Sequence, residues 1–361
     1  MADQLKNMFN YNTIRAFAER IHAVYDAFPM ERFMEMVLDD TWEELELKAR
    51  ARHISIVLHQ FLPNDYEEVL RILLAVADHS NEILGWVLTD YVELYGQDDK
   101  DWDKSVEALG YLTQFSSSEF AVRPFIIKDE KRMMEQMLRW STHDNEDIRR
   151  LASEGCRPAL PWAMAIPSFK IDPSPVLPIL ETLKNDPSEY VRRSVANNLN
   201  DIAKTHPDLV AALAKQWLGQ SREVDWVVKH GCRTLLKKGN REVLDLFGFH
   251  QGDALVVSNF RITSDEVVMG EEIMFAFTME ATEETRLRLE YGIDFMKANG
   301  KKSRKVFQIS ESTMKSGEVR EYIKSHSFKE ITTRKHYTGE HDLTLIVNGE
   351  ERAKGTFVVT S

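Results

Sequence analysis

The stretch Asp144–Trp162, DNEDIRRLASEGCRPALPW, decides how the chain is read. Asp144 can cap a helix whose apolar positions Ile148, Ala152, Gly155 and Ala159 recur at helical spacing. Arg150 and Glu154 stand at i,i+4 and Arg157 follows at i+3, so one face carries cation, carboxylate, cation. Pro158 and Pro161 disturb the helix end and turn Trp162 outward. Most Arg–Glu pairs at this spacing are solvated surface pairs worth about 0.2–0.5 kcal/mol. The same polar face recurring along the chain makes this one more than that.

Working outward, two alignments suggest a period. Arg149 and Arg192 fall 43 residues apart, and Arg193 and Lys229 fall 36 apart, near the length of HEAT or armadillo units. In this register one helix offers Arg150 and Glu154, the next Arg193, Asn197 and Asp201, the next Lys229, Arg233 and Lys237, each set spaced by four. Ser118-Glu119 with Arg123-Pro124 echoes Ser153-Glu154 with Arg157-Pro158. Stacked stripes of this kind predict a polar, largely cationic groove with Glu119 and Glu154 at one end. A helical repeat can equally use such a face for a protein partner.

Helical patterning runs from Tyr11 to about Phe247, with helices expected over Thr41–Phe61, Asn81–Tyr95, Ser118–Lys128, Asn145–Leu160, Ser188–Thr205 and Glu223–Leu236 among others. All seven tryptophans lie there. After Gly248 the period falls to two. Ile273, Phe275, Phe277 and Met279 alternate, as do Leu287 through Phe295 and Leu343, Leu345 and Val347, with turns at Gly270, Gly300, Gly317 and Gly349. About seven short strands predict an immunoglobulin-like sandwich. The fold class expected is mainly α, a HEAT-like α-α solenoid followed by an all-β sandwich. The domains are 1–250 and 251–361, with the boundary near Phe249–Asp253. Lys301, Lys302, Arg304 and Lys305 form a basic cluster beside a predicted turn.

The composition is that of an ordinary soluble protein: 361 residues, 43% hydrophobic and 29% charged. No apolar run approaches a membrane span, and the first twenty residues lack a secretory apolar core, so a cytoplasmic location is expected. Cys156 and Cys232 cannot form a disulfide framework or a zinc site, and both sit at apolar helical positions. There is no phosphate loop, no GxGxxG and no Cys/His cluster, so no cofactor and no metal are expected. The net charge of −12 conceals an asymmetry. Residues 1–142 hold 15 Lys and Arg against 26 Asp and Glu, residues 143–241 hold 15 against 12, and residues 301–335 hold 10 against 4. The later segments could therefore meet a phosphate backbone.

SEFAVRPF at Ser118–Phe125, RRLASEGCRPALPW at Arg149–Trp162 and YVRRSVANNLNDI at Tyr190–Ile202 resemble the motifs of the AlkC family of bacterial DNA alkylation-repair glycosylases, with a more distant relation to AlkD. The resemblance covers the helical region, and the appended sandwich matches the form with a C-terminal immunoglobulin-like domain. It implies a monofunctional glycosylase that removes cationic methylated bases, chiefly 3-methyladenine, from double-stranded DNA without full extrusion of the base. The groove and the immunoglobulin-like domain would together enclose a bent duplex, and the protein would act as a monomer.

The family's catalytic positions correspond to Glu119, Glu154 and Trp162, and Arg150, Arg193 and Asp201 match positions near the site or the DNA backbone. With the cationic stripes, the expected DNA contacts are Arg123, Arg150, Arg157, Arg193, Asn197, Asp201, Lys229, Arg233, Lys237, Lys301, Lys302 and Arg304. The chemistry agrees. A 3-methylated adenine is already a cationic leaving group, and two carboxylates stabilise the positive charge that passes to the sugar. An indole adds about 0.5–2 kcal/mol of cation–π attraction. The competing readings are a non-catalytic helical-repeat scaffold that binds proteins, and a sensor that binds alkylation damage without cutting.

Overall fold

Helix starts are set by short polar side chains. Asn10 forms a capping box with Thr13, and Asp65, Asp129 and Asn240 each accept from a backbone N–H of the first turn. In the computed structural model, which describes residues 5–78, 82–329 and 335–361, these caps open helices along the first two thirds of the chain. The helices are α1 (Tyr11–Val24), α2 (Met30–Val37), α3 (Leu47–His59), α4 (Tyr66–Ala75), α5 (Glu82–Tyr95) and α6 (Trp102–Leu112). Next come α7 (Val122–Lys128), α8 (Glu130–Trp140), α9 (Glu146–Gly155), α10 (Pro167–Ile171) and α11 (Leu177–Leu183). The last are α12 (Glu189–Ile202), α13 (Pro207–Trp217), α14 (Arg222–Gly231), α15 (Arg233–Lys237) and α16 (Arg241–Leu246).

The chain divides into two compact units, Met1–His206 with Trp217–Gly231, and Pro207–Gln216 with Cys232–Ser361. Within the first, α9, α12 and α14 pack side by side in that order. Gly231 permits the close approach of α14 to α12, and Gly155 that of α9 to α7. A Cβ on Gly155 would meet Val122 at 2.7 Å, and one on Gly231 would meet Leu199 at 2.6 Å. Among the described residues no helix is long and apolar enough to cross a membrane. Both cysteines are buried, and burial pushes the Cys156 thiol up to about 12, which makes it inert packing.

Several boundaries differ from the sequence expectation, each for a local reason. Asn145, not Asp144, caps α9, and the Asp144 carbonyl instead accepts from Arg149 at 2.7 Å. The expected helix over Thr41–Phe61 is broken into a 3-10 turn at Trp42–Glu44 and α3. Arg50 holds that break, stacking on Trp42 at 4.6 Å and donating to the Leu45 carbonyl. The helix expected from Asn145 to Leu160 stops at Gly155, short of Pro158. Ser118–Ala121 is a turn rather than the start of α7, because the Ser118 hydroxyl reaches back to Leu109 O at 2.8 Å. The expected start at Asn81 lies outside the described residues, and α10 falls where the sequence pattern indicated no helix.

The C-terminal strands are β1 (Leu255–Ile262), β2 (Glu266–Val268), β3 (Glu272–Ala281), β4 (Thr285–Met296), β5 (Lys302–Met314), β6 (Val319–Ser327), β7 (Gly339–Val347) and β8 (Glu350–Thr360). They form a three-stranded sheet β1-β3-β6 and a five-stranded sheet β2-β8-β7-β4-β5, antiparallel throughout except where β2 meets β8. Ile273, Phe275, Phe277 and Met279 of β3 share one buried core with Leu287, Leu289, Tyr291, Ile293 and Phe295 of β4 and Leu343, Leu345 and Val347 of β7. The two-residue period was therefore a true reading of the pleat. Gly270, Gly300, Gly317 and Gly349 occupy the positive-φ turns between strands. Among the described residues there are eight strands rather than about seven.

Candidate active site

The site is built on the turn before α7, on α9 with the loop after it, and on α12, all within the first compact unit. Ser117 opens it: its hydroxyl donates to Glu119 Oε2 at 3.0 Å and accepts from Arg150 Nη1 at 2.9 Å. Arg150 also pairs directly with Glu119 Oε2, and its Nη2 lies 3.5 Å from Glu154 Oε1. The same Glu154 oxygen accepts from Arg157 Nη1 at 2.6 Å. Arg157 Nε donates to Asp201 Oδ2 at 2.8 Å, and Lys204 closes the series on Asp201 Oδ1, also at 2.8 Å. Three carboxylates and three cations thus alternate across three elements that are distant in sequence.

Burial makes this network more than a surface decoration. Glu119 and Glu154 side chains are 15% and 7% exposed, and Asp201 is 2% exposed. Burial works against the charge on Arg150, but the Coulombic pull of Glu119 and Glu154 outweighs it and holds the guanidinium above its ordinary pKa. Arg157 is raised in the same way, burial being overcome by Glu154 and Asp201. The Arg150 guanidinium also stacks on Tyr190 at 5.1 Å, and burial raises the pKa of that phenol. Among the described residues, Glu119 Oε1 and Glu154 Oε2 accept no hydrogen bond. Each carboxylate meets the network through one oxygen.

Trp162 is 68% exposed and has φ +63°. A left-handed conformation in a bulky residue costs about 1–3 kcal/mol and persists only where its surroundings hold it. Arg123 does much of that holding. It is fully buried, donating through Nε to Met164 O at 2.6 Å and through Nη1 to Gly155 O and Arg157 O, both at 2.9 Å. Burial pushes its pKa down to about 10. It therefore cannot meet a phosphate as the sequence suggested; it ties the Trp162 loop to the end of α9. Arg157 is corrected likewise, since it is buried between Glu154 and Asp201 and orients them.

The remaining expected residues scatter. Arg193 is exposed on α12 and pairs with Glu189, itself exposed, at 2.7 Å. Asn197 and Lys229 are half-buried on α12 and α14. The helix of Lys229 ends at Gly231, and Arg233 and Lys237 belong to a separate short helix, α15. The basic cluster is largely strand rather than loop. Lys301 is exposed ahead of β5, Lys302 pairs with Glu340 and Asp342 at 2.9 and 3.0 Å, and Arg304 grips both oxygens of Asp294 at 3.0 and 2.8 Å. Sequence reasoning missed Ser117, Tyr190, Lys204 and Lys48. Of these, Lys204 was legible three residues beyond Asp201, just past the end of α12.

A buried network of carboxylates and arginines on packed helices, with an exposed indole on the loop after α9 and a β-sandwich at the C-terminal end, defines a class. Residues 111–235 match the family described as "DNA alkylation repair enzyme", and residues 256–361 match that described as "Uncharacterised protein YhaZ, C-terminal Ig-like domain". The chain is 45% identical over 359 residues to "Uncharacterized protein YhaZ" of Bacillus subtilis (strain 168), covering 99% of this chain and all of that one. It superposes with a TM-score of 0.95 and 36% identity on the Pseudomonas fluorescens alkylpurine DNA glycosylase AlkC bound to DNA containing an abasic site analog, covering 99% of this chain and all of the other. The chain belongs to the AlkC family of DNA alkylation-repair proteins, in the form with a C-terminal immunoglobulin-like domain.

Proposed function

We propose that the protein is a monofunctional DNA glycosylase that hydrolyses the N-glycosidic bond of cationic alkylated bases, 3-methyladenine first among them, in double-stranded DNA. The observation that carries this reading is the sharing of Arg150 by Glu119 and Glu154, each with one oxygen left open. The relative solved with abasic-site DNA supports DNA as the partner. The helix pairs are read as HEAT-like repeats. Residues 1–250 are read as the catalytic and DNA-binding part and 251–361 as the appended sandwich, in a protein acting as a monomer.

In this mechanism the methylated base leaves with the electron pair of the glycosidic bond and becomes neutral, so it needs no proton. The positive charge passes to the sugar, where Glu119 and Glu154 stabilise it. Water then adds to the anomeric carbon and one of the two carboxylates takes its proton. Arg150 and Arg157 orient the two carboxylates through their ion pairs. Trp162 offers its ring face to the cationic base and so favours charged lesions. Arg193 can exchange its weak exposed pair with Glu189 for a phosphate at little cost. Lys301 is the cation of the sandwich cluster best placed to do the same, since Lys302 and Arg304 are already engaged.

The test is release of free base from methylated DNA. Glu119→Gln, Glu154→Gln and Trp162→Ala are each expected to lower release by about 10²–10³-fold without unfolding the protein. Full activity in a folded Glu154→Gln, Trp162→Ala double variant would remove these residues from the mechanism. Tight binding to the lesion with no release by the unaltered protein would make it a damage sensor instead.

A further inference from the structure

We propose that Lys48 is a positioning residue that locks the Trp162 loop to the turn carrying Glu119; its role in catalysis rests on the glycosylase reading. Lys48 lies on α3, far outside the motifs that define the site. Its ammonium donates to the Trp162 carbonyl at 2.9 Å and sits over the Phe120 ring at 4.2 Å. Phe120 directly follows Glu119, and its ring packs edge-on against Trp86 at 5.9 Å. One cation therefore joins the two segments that carry the acid and the indole.

The arrangement suits a strut. The left-handed backbone at Trp162 does not hold itself, and Arg123 fixes the carbonyls on either side of it, at Arg157 and Met164, but not its own. Lys48 takes that carbonyl. Its base is rigid, because Ser55 of α3 donates to Val87 O of α5 at 3.0 Å and Arg52 pairs with Asp90 and Glu93. Lys48 and Arg52 stand one turn apart, so α3 grips α5 with one side chain and the site loop with the other. Removing the ammonium frees Trp162 to leave the left-handed conformation while the core beneath stays intact.

The experiment uses the full-length protein labelled with 5-fluorotryptophan, the Trp162 fluorine line being assigned by its loss in Trp162→Phe. Lys48→Met keeps the stem on Phe120 and deletes the donor; Lys48→Gln is the second variant should the first fold poorly. The expected result is a shifted or broadened Trp162 line, an unchanged melting temperature, and base release slowed about 10- to 100-fold. Lys48→Arg should restore both the line and the rate. Lys48→Met should cost nothing more in a Trp162→Ala background, since Lys48 acts through that ring. An unchanged Trp162 line, or losses that multiply in the double variant, overturns the proposal. Should the unaltered protein release no base, the glycosylase reading fails by itself, and the fluorine line alone decides whether Lys48 positions Trp162.

Discussion

Arg157 and Asp201 stand 44 residues apart in the chain and meet through a 2.8 Å hydrogen bond between Nε and Oδ2, with side chains 9% and 2% exposed. That bond joins the end of α9 to the last turn of α12 and fixes the guanidinium whose other arm holds Glu154. Removing one member of a buried pair leaves the other uncompensated. Asp201→Asn is expected to lower stability by about 3 kcal/mol in urea unfolding at pH 7. Base release should fall further than the lost stability explains, because Glu154 loses its orientation.

Arg123 holds three backbone carbonyls with one buried guanidinium. A lysine cannot span them, and an ammonium there would meet the same burial that drives Arg123 down to about 10. Arg123→Lys is therefore expected to cost about 3 kcal/mol in thermal unfolding. It should also open the loop after α9 to limited proteolysis, with cleavage between residues 157 and 166.

His341 has a defined tautomer. Its Nε2 accepts from Met296 N at 3.3 Å, so Nδ1 carries the proton and donates to Gly339 O at 2.9 Å. Burial, then Lys302, lowers its pKa from 6.5, against the opposing pull of Gly339 and Asp342. The unfolded chain thus takes up the proton first as the pH falls. Stability of the sandwich should be intact above about pH 6.5 and decline as the pH falls through the folded pKa. Urea unfolding followed by strand circular dichroism should show this loss in the unaltered protein and less of it in His341→Gln. Tryptophan fluorescence, which reports only residues before Gly248, should not.

Asp90 runs the other way. Burial raises its pKa to about 6, Arg52 opposes this and Glu93 adds to it. The folded protein holds the proton that the unfolded chain releases near pH 4. This contribution is fully present below that point and lost as the pH rises through about 6. Asp90→Asn should therefore raise the unfolding midpoint of the helical unit more at pH 7.5 than at pH 5. A larger gain at pH 5 would show that the Arg52 pair matters more than the buried charge.

The sequence by itself determined what depends on near neighbours. The change of period at Gly248 separated helices from strands because a side chain's face follows from its spacing along one element. The outward turn of Trp162 was legible in Pro158 and Pro161, which precede it, and the strand turns in their glycines. Arg150 and Glu154 fell on one face because they are four apart.

What only the tertiary structure decided depends on partners distant in the chain. Arg123 and Arg157 looked like surface cations for DNA, but a guanidinium's role is set by whichever carbonyl or carboxylate closes over it. For these two that came from Gly155, Met164 and Asp201. The single helix expected over Glu223–Leu236 ends at Gly231, and Arg233 and Lys237 fall on a separate one. Lys48 gave no local signal at all, because its partners at Phe120 and Trp162 come from segments that only folding brings together.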